Sequence, residues 1–140
     1  MSGLTPKKWL RIDVRIAGYS GSSTASLRFN GDTGSNYSYA RHDNNGPVNS
    51  GTSQTGIRVA NSTITGPHYF TASVRNVSSQ AKVVILQGAS GSESASLAPT
   101  INDVRGVWGN SSAQITSVTL NNGGAVNLLA GTEISVWGSD

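Results

Sequence analysis

The chain has 140 residues, a net charge of +3 and no cysteine, and only 12% of it is charged, about half the usual fraction of roughly 25%. One domain over 1–140 is the natural reading, long enough to bury roughly 68–70% of its unfolded surface with no disulfide or thiolate metal site to brace it. Ser, Thr, Asn and Gly make up 63 residues, yet the small net charge and recurrent Val, Ile and Thr argue against disorder, and no apolar run nears the roughly 20 residues that cross a bilayer as a helix.

Residues 1–8 read as an arm, flexible or held by a partner. Lys7 and Lys8 have no apolar stretch after them, so no secretory signal is expected. Trp9–Ile16 then alternates strictly, with Leu10, Ile12, Val14 and Ile16 on one face and Trp9, Arg11, Asp13 and Arg15 on the other. That period of two predicts a strand with one dry and one wet face. Further strands are predicted at 25–30, 37–42, 56–60, 69–77, 81–88, 104–108, 115–120 and 133–137. Turn clusters separate them, among them 18–23, 44–47, 88–91 and 121–124, with Asn-Gly and Gly-Gly supplying the positive φ of hairpin turns. A single helical turn near 95–104 is the one exception. Eight or nine short strands predict an all-β fold, an antiparallel β-sandwich that is jelly-roll-like. The longest loops, 43–55 and 89–103, are the expected partner contacts.

Asp32-Thr33-Gly34-Ser35 is the tetrapeptide that carries the aspartate of aspartic proteases. That chemistry needs two carboxylates sharing one proton in a dry site. Here Asn30-Gly31, a polar turn dipeptide, precedes Asp32, and the one candidate apolar strand, Val83–Leu86, is separated from Gly88 by Gln87. Asn30, Gly31, Asp32 and Gly34 therefore read as a hairpin turn with its glycines at positive φ, the Asp32 carboxylate accepting nearby backbone N–H groups.

Other chemistry is poorly served. His42 and His68 are the only imidazoles, and Glu93 and Glu133 the only glutamates; there is no Gly-x-Ser-x-Gly, His-Glu-x-x-His or P-loop. Asn30, Asp32, Asn36 and Asp43 lack the spacing of an EF-hand. The expectation is no enzyme, no cofactor and no metal. The ten basic residues are scattered, so neither nucleic acid nor membrane is expected as a partner. Sequons at Asn36, Asn61, Asn76 and Asn110 are what a chain this rich in Asn, Ser and Thr contains by chance. Tyr37, Tyr39, Trp108 and Trp137 read either as a glycan-stacking platform or as plugs of the core.

Three segments, Leu27–Tyr39, Gly106–Leu120 and Gly131–Gly138, resemble in the same order those of tailed-phage virion proteins of the minor structural, minor tail or head-decoration type. The resemblance spans roughly 25–138 and leaves 43–68 unplaced. It implies a non-enzymatic β-sandwich on the particle surface, made in the host cytoplasm and packed on phage capsid or tail proteins. Host glycans are a further implied partner, and a glycan-binding module is the rival reading. Exposed edges with few lysines and no strand proline point to a homo-oligomer, with a trimer suited to the local three-folds of an icosahedral shell.

Overall fold

The computed structural model describes residues 1–21, 23–44, 46–59, 66–91, 95–123 and 126–140. Among them run ten strands: β1 Trp9–Ile16, β2 Ala25–Phe29, β3 Tyr37–Asp43, β4 Asn49–Gln54, β5 Ile57–Arg58, β6 His68–Arg75, β7 Lys82–Ser90, β8 Thr100–Trp108, β9 Val118–Asn122 and β10 Glu133–Ser139. They form two antiparallel sheets, of seven strands in the order β10-β1-β6-β7-β8-β3-β4 and three in the order β5-β2-β9. The expected antiparallel β-sandwich is present, with very unequal layers.

The core lies between the layers because alternation puts one apolar row of each strand inward. Leu10, Ile12, Val14 and Ile16 of β1, Phe70, Ala72 and Val74 of β6, and Val84 and Leu86 of β7 are buried on the large sheet. Ala25, Leu27 and Phe29 of β2 with Ile57 of β5 and Val118 of β9 face them from the small one. The layers approach closely at Gly106, where β8 has no side chain. A Cβ on Gly106 would stand 2.7 Å from the Ile57 Cδ1, so the glycine lets Ile57 press onto the sheet.

Five expectations need correction. Residues 49–54 of the expected 43–55 loop are β4, an edge strand whose Asn, Ser, Gly and Thr are exposed or half-exposed on both faces, so it carries no alternation to read. The 89–103 loop is shortened at both ends, and a turn at 95–96 then β8 replace the helical turn at 95–104, because β7 continues to Ser90 and β8 begins at Thr100. Their extra inward residues are the polar Ser90 and Asn102, hydrogen-bonded to each other at 3.2 Å. Ile115 is buried outside any strand. Its segment is held by asparagine side chains instead: Asn76 Oδ1 accepts from the Ile115 N–H at 2.6 Å, and Asn30 Oδ1 from the N–H groups of Thr116 and Ser117 at 2.8 and 3.1 Å. Finally, the 1–8 arm lies against its own domain. Leu4 packs on the core and donates its N–H to the Thr116 carbonyl, while the Val118 N–H donates to Met1 O.

Candidate functional site

Asp32 sits in a corner between the layers, and no hairpin joins β2 to β3, since β2 pairs with β5 and β9 and β3 with β4 and β8. Positive φ falls on Asn30 (53°) and Gly31 (66°) rather than on Gly34, turning the chain out of one sheet and into the other. The Asp32 Oδ1 accepts from the Gly34 N–H at 2.8 Å, and Asn36 Nδ2 donates to both carboxylate oxygens. The indole Nε1 of the buried Trp108 donates to Oδ2 at 2.7 Å. That indole bond, ahead of those from Asn36 and Gly34, holds the carboxyl below its ordinary range against the opposing effect of desolvation. The carboxylate is thus committed to locking the corner onto β8. Asp32→Ala should cost about 1.5–3 kcal/mol, the range for hydrogen bonds to a charged group, against about 0.5–2 for a simple cap. Chemical denaturation checks this, and a loss under about 0.5 kcal/mol would exclude the lock. The remaining candidate calcium ligands point to other protein partners: Asn30 to 114–117 and Asp43 to Arg41 and Asn102. Among the described residues no three His, Asp or Glu gather as a metal site.

The four aromatics do not share a platform. Tyr37 and Trp108 are buried and stacked at 6.3 Å, each packed near Phe29, and the Tyr37 hydroxyl accepts from the Phe29 N–H at 3.0 Å. Tyr39 is also buried, and only Trp137 is exposed, at 55%. Their inward positions on β3 and β8 explain this, since both strands turn that row to the small sheet. Of the sequons, Asn61 lies outside the described residues and Asn76 is fully buried.

Trp137 belongs to a different surface. Among the described residues no layer covers the outer face of the seven-stranded sheet. Register places Trp137 beside Arg11, and Arg11 beside Ser73 and then Ile85. Trp9, Tyr69, Val83, Ile85, Ile101 and Trp137 are all 46–61% exposed on this face, with its charges partly paired as Arg11–Asp13 and Arg105–Asp103. The sequence reading placed contacts in loops and missed this face; the period of two in β1 and β7 was its signal.

A second surface lies on the outer side of the small sheet. Arg58, Ser26 and Asn121 are register partners across β5, β2 and β9, opposite in direction to the buried Leu27. They line a cavity of about 620 Å³ together with Arg28, Gln54 and Tyr39. Thr24, Thr55, Gly56, Asn122 and Gly123 complete it, so the lining holds two guanidinium groups and many hydroxyls and amides, with no carboxylate or imidazole among the described residues. Arg28 is fixed in place, donating Nε to the Thr55 carbonyl at 2.7 Å and Nη2 to Thr55 Oγ1 at 3.2 Å. Such a surface can hold an anion or a hydroxylated ligand.

His68 and Tyr19 form a buried edge-to-face pair with ring centroids 5.5 Å apart, and the His68 Nε2 and the Tyr19 hydroxyl have no hydrogen-bond partner among the described residues. Desolvation pushes the imidazole down to about 4 and the phenol up to about 12. An unfolded histidine takes its proton near pH 6.5, so between that pH and about 4 the unfolded chain binds more protons and stability falls as pH falls. Melting temperature should therefore drop from pH 6.5 towards 4 in the wild type and much less in His68→Leu; parallel curves would rule out this origin. A comparison with protein-family models, curated proteins and solved structures found no match to the chain.

Proposed function

We propose that this chain is a non-enzymatic structural protein of a tailed-phage particle, decorating the capsid or tail as a homo-oligomer. The observation that carries the reading is the uncovered face of the seven-stranded sheet, where Trp9, Tyr69, Val83, Ile85, Ile101 and Trp137 stand exposed together. On this face Arg11 and Ser73 stand between Trp137 and Ile85, so large apolar side chains are interleaved with arginines, and exposed Trp, Tyr and Arg are favoured anchors of protein contacts. The open edges β4 and β10 flank the same sheet, and burying them against copies or a shell protein removes an aggregation hazard. The resemblance of the three ordered segments to virion proteins supplies the particle; a closed three-fold fits a shell. The contact should bury at least about 1,000 Å² in total and respond weakly to salt, because the chain is only 12% charged and the charges on this face are partly paired with each other.

Sedimentation of the isolated protein, alone and with emptied capsids or tails, tests this. Co-sedimentation that Ile85→Glu and Trp137→Ser abolish is the expected result. A strict monomer that ignores both particles overturns it. The second reading, a glycan-binding module, is favoured by the polar cavity on the outer side of the small sheet.

A further inference from the structure

We propose that the cavity over the small sheet binds an acidic saccharide, its carboxylate seated against Arg28 and Arg58 and its hydroxyls against Ser26, Gln54 and Asn121. This deepens the glycan-binding reading, on which it rests.

The charge comes from placement. Ser26 is the register partner of Arg58, and Arg28 is two residues along β2 on the same face, so the two arginines are diagonal neighbours roughly 7–8 Å apart at the backbone. Gly56 lies against the Arg28 stem, its missing Cβ 3.3 Å from Arg28 Cγ, which keeps the space beside that side chain open. Thr55 takes two N–H groups from one edge of the Arg28 guanidinium. Three of the five remain, including the end-on Nη1/Nη2 pair whose fork matches a carboxylate. The side chain is therefore already ordered, and binding need not fix it again.

The neutral lining selects the rest of the ligand. Vicinal sugar hydroxyls both donate and accept, and so do Ser26 and the amides of Gln54 and Asn121. The cavity volume of about 620 Å³ is within the roughly 300–1,000 Å³ of small-ligand sites. A neutral sugar is a poorer fit, because the one aromatic in the lining, Tyr39, is only 8% exposed and gives no ring face for a sugar to stack on. The same lack disfavours single-stranded nucleic acid, which needs stacking rings and a longer basic track.

The test titrates the intact isotope-labelled protein with glucuronate- and sialate-containing oligosaccharides. Their carboxyl-reduced counterparts, inorganic sulfate and a short single-stranded DNA serve as comparison probes. An acidic oligosaccharide should shift the amide signals of 24–28, 54–58 and 121–123, and its reduced form should bind at least about ten-fold more weakly; Arg28→Gln and Arg58→Gln should weaken binding of the acidic form as much while still unfolding cooperatively on heating. The mapping on the wild type stands even where a variant misfolds. Equal binding of acidic and reduced forms overturns the inference and leaves the glycan reading intact. Silence towards every saccharide overturns both. Sulfate or DNA binding as tightly as the best saccharide also overturns the inference, as a bare anion site or a nucleic-acid site.

Discussion

Trp108→Ala is expected to destabilise the domain by about 3–5 kcal/mol, the range for deleting a buried Trp or Phe side chain. Trp108 is fully buried at the end of β8, its ring 5.7 Å from that of Phe29 and 6.3 Å from that of Tyr37. One edge of the indole donates to Asp32, and the ammonium of Lys82 lies 5.9 Å from the ring centre. Lys82 is itself buried, donating to the carbonyls of Gln80 and Asn110 at 2.5 and 3.0 Å, and its desolvation lowers its pKa. Removing the indole thus opens a cavity, frees the Asp32 corner and strips a buried cation of its aromatic neighbour. Urea denaturation followed by far-ultraviolet circular dichroism measures the loss. Trp108→Phe should fall between Ala and wild type, since it keeps ring bulk and loses the N–H. An alanine variant within about 1 kcal/mol of wild type would show that the corner is held by other groups.

Ile12→Ala should cost about 2–5 kcal/mol, whereas Arg11→Ala should stay within about 0.5 kcal/mol. The two are adjacent on β1 but face opposite ways. Ile12 is fully buried between β10 and β6, with Val136 and Ala72 as its register partners. Arg11 points to the uncovered face and pairs with Asp13 at 3.1 Å, with its side chain 62% exposed, an arrangement of little net worth. The same denaturation experiment distinguishes them. Equal losses at both positions would mean that the outer face is already buried in the isolated protein, by a second copy of the chain.

How much of this is legible in the sequence follows from which faces are dry. β1 is plain because one face is buried and the other wet along all eight residues. β4 is hidden because neither face is buried, and the ends of β7 and β8 are hidden because Ser90 and Asn102 occupy inward positions that an apolar pattern leaves blank. Asp32 is recognisable as a turn residue from Asn30-Gly31, but its bond to Trp108, 76 residues away, is a property of tertiary packing. The cavity over the small sheet was equally invisible. Ser26 and Arg28 show in the alternation of β2, yet nothing local places Arg58 and Asn121 beside them; only strand register does that.

The position of β1 also governs how the chain reaches this state. Its two partners are β6 and β10, so one side must wait for a segment more than fifty residues distant and the other for one more than a hundred residues distant. Only β3 with β4 and the run β6–β7–β8 pair strands that follow each other in the chain. Such non-local pairing predicts folding in milliseconds to seconds rather than microseconds, with the β6–β7–β8 meander as the early element. Until Glu133–Ser139 arrive, β1 offers an unpaired edge and Leu10, Ile12 and Val14 have an incomplete cover. A chain ending before Glu133 should therefore collect in the insoluble fraction during synthesis, whereas the full chain passes this hazard by closing its last strand onto its first.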